Sequence, residues 1–348
     1  RYHHKTTQQM KKIVFFVIAI LFALAALSLY LTWTLACRDN TSGGKAVIYV
    51  QPGTTLGQLN SILDSAAIIR NIKGFKLAAK IRNLDGTIKP GRYEINPGMS
   101  NKELVRMFRL GLQKPHNLTL SGNIRNLEKL ASVVSQKISA DSASVLEVLE
   151  DKQLIDSLGF TSESFPGMFL LNTYEVYWTS TPQEIVIRLH REYSKFWNEQ
   201  RNNLASKLGL TPQEVTTLAS IVAEESNLAS EHPVIAGVYL NRLKKGMPLQ
   251  ADPTIKYALN DPSIKRILYK HLEVDSPYNT YKRGGLPPGP ITIPAPSVID
   301  AVLNHSNHNY LYFCAKPSLD GSHSFATTLS QHNRNAAAYQ AAIRRLNL

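Results

Sequence analysis

Cysteine is nearly absent from this 348-residue sequence: Cys37 and Cys314 are the whole complement. One flanks an apolar segment and the other comes late, so a disulfide framework is not expected and no CxxC pair offers a metal site. Also missing are a GxSxG elbow, a P-loop, a dinucleotide fingerprint and HExxH. His305 and His308, with His323 further on, lack metal-ligand spacing and read as polar loop histidines. No cofactor or metal is therefore expected. Charged residues are few, at 19%, against 43% hydrophobic, which marks a folded chain rather than a disordered one. Acidic residues are scarcer than basic ones, 26 against 39, leaving a net charge of +13. That balance favours nucleic acid, anionic lipid headgroups or an acidic cell-wall polymer, without choosing among them. The length suggests two or three domains.

One long apolar run is present. Residues 13–36 carry no charge and span about 24 residues, enough to cross a bilayer core of roughly 30 Å. Arg1, Lys5, Lys11 and Lys12 precede it, while Arg38 and Asp39 nearly cancel behind it. The positive-inside rule then gives a cytoplasmic tail over 1–12, a single transmembrane helix over 13–36 and everything after Cys37 outside the cytoplasmic (inner) membrane. A cleaved signal peptide would have a shorter apolar region, of about 7–15 residues. An outward-facing basic domain makes nucleic acid an improbable partner and the wall or membrane surface the natural one.

Thr41-Ser42-Gly43-Gly44 reads as flexible, within a linker over 37–45. A repeat follows, because 47–63 and 91–108 share a strand, a Pro-Gly turn and a capped helix. Thr55-x-x-Gln58 and Ser100-x-x-Glu103 are capping boxes. The 46–112 module is similar to LysM glycan-binding units, though such units also serve as plain structure. A connecting α+β region over 113–210 holds helical patterns at 126–138, 142–157 and 183–200. The remaining segment, 211–348, opens on the capping box Thr211-Pro212-Gln213-Glu214. Further helices are expected from Pro233 to a stop at Gly246, near 253–260, 262–270 and 297–304, and over 330–346, with a strand at 310–315. Strands and helices mix without regular alternation, so the fold class is α+β.

In the helix after Thr211, Val215, Leu218, Ala219 and Val222 line one face. Glu225 falls on the edge of that face, and Glu224 points toward solvent. A carboxyl against apolar walls has a raised pKa and stays protonated near neutrality, as a general acid must. Downstream come Asn241, Gln250, Asp252, Thr254, Tyr257, Asn279, Thr280 and Tyr281, then Gly284-Gly285-Leu286-Pro287-Pro288-Gly289-Pro290. Aromatics, amides and hydroxyls on a loop-rich segment suit a sugar cleft. Asp252 before Pro253 also reads as an ordinary helix cap.

The blocks ASIVAEES (219–226), VYLNRL (238–243), LQADPT (249–254), YNTY (278–281), GLPPGPI (285–291) and LYF…GSHSF (311–325) occur in order. Together with GMFLLNTYEV (167–176), they make the chain resemble the endolytic murein transglycosylase (YceG-like) family. The resemblance implies a single-pass anchor and a LysM-like part. It also implies a lyase domain over 211–348 that cuts MurNAc–GlcNAc bonds in nascent peptidoglycan strands, leaving 1,6-anhydroMurNAc ends. By the same likeness Glu225 is the catalytic acid/base. Ser226, Asn241, Gln250, Asp252, Thr254, Tyr257, Asn279, Thr280, Tyr281, Leu286, Pro288 and His323 border the glycan. Peptidoglycan synthases enter as candidate partners. The sequence departs from the family pattern at Ala223 (a Glu elsewhere), at LLNTY, and at Ile293 (an expected Asn). With Asp252 read as a cap, Glu225 has no carboxylate partner, which favours a transglycosylase over a hydrolase. A hydrolytic muramidase and a non-catalytic wall-binding scaffold are the alternatives.

Overall fold

A computed structural model describes residues 2–345 apart from 262 and 265. The chain divides into two compact units, one formed by 1–116 with 175–179, the other by 117–174 with 180–348.

The first unit begins with helix α1 (Tyr2–Cys37). Within Met10–Cys37 the mean hydropathy reaches 2.8, so the helix is long and apolar enough to cross a membrane, and of these residues only 34–36 are partly covered. Behind it the order is β1 (Ala46–Val50), α2 (Leu56–Ser65), α3 (Ile72–Ile81), β2 (Gly91–Ile95) and α4 (Asn101–Leu110). The two strands are antiparallel neighbours, with Ala46 opposite Ile95 and Val50 opposite Gly91. Ile48, Val50, Leu59, Leu63, Phe75, Tyr93 and Phe108 form its core. Both capping boxes form as the repeat predicts, at Thr55 and Ser100. Helix α3 lies between the two copies and is not part of the repeat; Asn71 caps it. The expected flexible linker is instead pinned over residues 40–42. Asn40 and Thr41 are buried, Asn40 Nδ2 donates to Asn101 Oδ1 at 2.7 Å, and the Thr41 hydroxyl donates to the Asn96 carbonyl at 2.8 Å.

Strands β3 (His116–Thr119) and β4 (Thr173–Val176) pair with each other. Between them come α5 (Leu127–Ser135), α6 (Ser142–Leu149) and α7 (Lys152–Ser157). After β4 follow α8 (Pro182–Phe196), α9 (Glu199–Leu208), α10 (Pro212–Glu225), α11 (His232–Lys244), α12 (Asp252–Leu259) and α13 (Pro296–Leu303). A hairpin of β5 (Tyr312–Ala315) and β6 (His323–Ala326) and helix α14 (Leu329–Arg345) complete the second unit. Two expected helices are each split. Asp151 caps α7 inside 142–157, and Asn198 caps α9 where 183–200 was read as continuous. A side chain that offers the backbone an acceptor starts a new helix more readily than it continues an old one. The expected helix at 262–270 is replaced by a single 3₁₀ turn, Tyr269–Glu273; its residues 262 and 265 lie outside the described residues.

Position 210 lies inside the second compact unit. Arg201 bridges to both oxygens of Asp300 at 2.8 and 3.0 Å, and the Ile293 amide donates to Ile124 O at 2.9 Å. The expected connecting region, beyond its first residues and β4, is therefore part of the unit that carries the candidate site.

Candidate active site

Helix α10 is central because it is buried almost all round: Val215 through Val222 are inaccessible. Thr211 and Glu214 close its capping box and Pro212 sets its first turn. Its last residue is Glu225, at the wall of a cleft of about 400 Å³. Tyr239 and Arg242 of α11, Gln250, Asp252, Tyr281, the β5 strand and His323 complete the walls.

Tyr239, buried to 2% exposure, donates its hydroxyl to Glu225 Oε1 at 2.6 Å. Burial pushes the Glu225 pKa up to about 7. The Tyr239 hydrogen bond opposes this shift, the Asp252 charge adds to it, and Lys256 and Arg242 pull the other way. A carboxyl closing a helix also meets unpaired carbonyls, which disfavour its anion. Both forms of Glu225 are thus within reach near neutrality, the condition for a general acid that must later act as base.

Asp252 corrects the capping reading. The N-cap of α12 is Ala251, without a side-chain cap, and Asp252 is the first helical residue. Its Oδ1 accepts from the Tyr281 hydroxyl at 2.6 Å, so its carboxylate faces the cleft. Glu225 therefore does have a carboxylate neighbour.

Gln250, Asp252, Tyr281 and His323 line the cleft beside Glu225, but the other sequence candidates lie elsewhere. Ser226 is buried and hydrogen-bonds Glu231 Oε2 at 3.0 Å. Asn241 spends its amide on the carbonyls of His308 and Tyr310. Thr254 and Thr280 pair with each other at 2.9 Å in the interior, and the Asn279 amide holds Leu272 O and Val274 O. Tyr257 packs on Tyr278 and lines a separate hollow with Arg125 and Lys256. Leu286 is half-buried and Pro288 exposed, and neither lines this cleft. The glycine-proline loop packs instead: Ile291 N donates to Ser220 Oγ at 3.0 Å, and a Cβ on Gly289 would sit 1.8 Å from Glu163 O. Ile293, where the pattern expects Asn, is buried. These residues build the cleft's frame, because a loop rich in amides must satisfy its own backbone first.

Glu224 does not point into solvent. It is paired with Arg125 and accepts from Asn123 Nδ2 at 2.8 Å. Sequence reasoning missed Tyr239, Arg242, Glu231 and His332. Arg242 is buried and holds Leu311 O at 2.6 Å and Leu249 O at 2.9 Å, fixing β5 and the 247–250 loop around the cleft. Tyr239 stands fourteen residues after Glu225, and its register on α11 was the one available signal.

The YceG-like family model matches residues 48–338. The chain is 30% identical over 310 residues to a Bacillus subtilis protein named endolytic murein transglycosylase, covering 84% of each. It is 27% identical over 360 residues to a Streptococcus pneumoniae protein of the same name, covering 93% of this chain and 65% of that one. A crystal structure of a YceG-like protein from Listeria monocytogenes superposes with a TM-score of 0.56 at 28% identity, over 84% of this chain and 99% of the other. A match across most of the sequence, with the cleft residues inside it, makes this chain a member of the YceG-like family.

Proposed function

We propose that the chain is a membrane-anchored endolytic lytic transglycosylase acting on peptidoglycan outside the cytoplasmic membrane, with Glu225 as its acid/base. The observation that carries this reading is the raised pKa of Glu225 in a polar cleft, with Tyr239 fixing one oxygen. The protonated carboxyl gives its proton to the glycosidic oxygen between MurNAc and GlcNAc. As the C1–oxygen bond breaks, the muramoyl C6 oxygen bonds to C1 and its proton passes to the Glu225 carboxylate, giving a 1,6-anhydro end without consuming water. The names of the Bacillus and Streptococcus relatives support this chemistry. The 46–112 module, taken as LysM-like, would supply a second glycan contact, and peptidoglycan synthases are the expected partners.

Asp252 specifically favours a second reading, a hydrolytic muramidase, since two carboxylates in one cleft are what water-using glycosidases employ. Mass spectrometry of purified glycan strands digested by the detergent-solubilised full chain separates the two. Anhydro-muramoyl ends are expected; predominantly reducing muramic ends would establish hydrolysis, and intact strands would leave a wall-binding scaffold.

A further inference from the structure

The cleft holds a second titratable pair that the single-glutamate scheme leaves unused. Glu231 precedes α11 in the N-cap position, yet its side chain caps nothing. Instead Oε1 accepts the His323 backbone N–H at 2.7 Å and Oε2 lies 2.7 Å from His323 Nδ1. Oε2 also receives the hydroxyl of Ser226, the residue after Glu225. Glu231 is only 8% exposed. Burial alone would raise its pKa, but the hydrogen bonds from His323 and Ser226 outweigh burial and hold it below the ordinary carboxylate range.

A carboxylate on Nδ1 selects the tautomer: the proton stays on Nδ1 and the lone pair on Nε2. His323 lines the same cleft as Glu225, and its Nε2 has no partner among the described residues. The Phe313 ring stands edge-on to the imidazole, 5.4 Å away at 89°, and restricts its rotation.

Resting on the transglycosylase reading, we propose that His323 is a second catalytic residue and Glu231 its positioning carboxylate. In this division of labour Glu225 keeps the acid step, and the base step that the proposed function gives it passes to His323. The C1–oxygen bond breaks and the leaving oxygen takes the proton of Glu225. The C6 oxygen bonds to C1, and its proton passes to His323 Nε2. The resulting imidazolium is stabilised by the Glu231 carboxylate, as a buried acid stabilises the imidazolium of a hydrolase triad. Return of that proton to the Glu225 carboxylate, through solvent, restores both groups and consumes no water.

The competing explanation is that the pair only ties the β5–β6 hairpin to the start of α11. His323→Asn separates the two, because the amide nitrogen of Asn replaces Nδ1 and keeps Glu231 paired, while the atom facing the cleft is lost. The measurement is anhydro-end formation by the full-length chain in detergent, as kcat/KM against pH, with thermal melting as a folding control. Tyr239, Arg242, Asp252, Tyr281, Tyr312, Cys314 and His332, the other titratable or charged cleft groups, are the same in both proteins. The Asn variant is expected to melt like the parent and to lose about 10²-fold or more in rate. It should keep the alkaline limb of Glu225 and lose the acid limb at which the imidazole gains its proton. Activity within threefold of the parent, or a lower rate with both limbs in place, overturns the proposal. Should the Asn variant not fold, Glu231→Gln decides. Removing the carboxylate makes the imidazole harder to protonate, so the acid limb must move to lower pH; an unmoved limb overturns the proposal. A parent chain that forms no anhydro ends sinks the transglycosylase reading itself, and that result is visible before any variant is compared.

Discussion

Glu225 carries the sharpest consequences at the residue scale. Its general-acid role needs the protonated form, so kcat/KM for anhydro-end formation should fall on the alkaline side with a midpoint near its pKa of about 7. Glu225→Gln should abolish turnover by about 10²–10⁴-fold or more, while the protein still folds. The same shift predicts a stability signature. A carboxyl whose folded pKa is raised from 4.5 to about 7 contributes fully below its unfolded value, and that contribution is lost as pH rises through 7. The loss amounts to at most about 3 kcal/mol. Melting curves of parent and Glu225→Gln, compared between pH 4 and 8, should therefore diverge, with the parent losing ground as pH rises. Parallel curves would mean that Glu225 titrates near its ordinary value. Glu224→Gln should cost about 0.2–1 kcal/mol, because its Arg125 partner is half exposed, and leave turnover within a few-fold. Helical phase turned Glu225 inward, where it lines the cleft, but it sent Glu224 to solvent. It could not find the Arg125 pairing, since the partner is about a hundred residues away in sequence.

Among the elements, α11 shows how tightly the cleft is framed. Gly237 lets the 304–310 loop cross the helix: a Cβ there would sit 2.6 Å from His308 Nε2 and 2.7 Å from Ser306 O. Asn241 on the same helix holds that loop through two carbonyls, and His308 Nε2 itself bonds Val234 O. Gly237→Ala gains about 1 kcal/mol of helix propensity but forces the loop away, so the net effect in denaturant melts should be a loss of about 1–3 kcal/mol. An unchanged or higher stability would mean that the loop yields freely. The start of α10 was legible from Thr211-Pro212-Gln213-Glu214 because capping is local chemistry. The β5–β6 hairpin was only half legible. Tyr310–Ala315 carries an apolar strand pattern, whereas His323–Ala326 becomes a strand by pairing with it, Ala315 opposite His323.

For the whole molecule, the Lys11-Lys12 flank and the apolar span Met10–Cys37 lead to a topology experiment. A reporter fused after Leu348 should be active only outside the cytoplasm, and activity inside would reverse the orientation. The unit carrying Glu225 incorporates the segment that periodicity assigned to a connector. Asn123 and Ile124 hold Thr292 and Ile293, and these contacts are invisible to any local pattern.

The sequence by itself determined what depends on near neighbours along the chain. Helix starts follow capping boxes, the long apolar helix follows an unbroken apolar run, and the inward turn of Glu225 follows helical phase. Family likeness, too, was legible from ordered blocks. Only the tertiary structure decided which polar residues face the cleft. Asn241, Thr254, Asn279 and Thr280 have the chemistry of sugar contacts, but buried backbone and side-chain groups must be paired, and they are used for that. Asp252, taken for a cap, is free to face Glu225 because Ala251 occupies the cap position. Tyr239 reaches Glu225 because α10 and α11 pack against each other, bringing residues fourteen apart within a hydrogen bond.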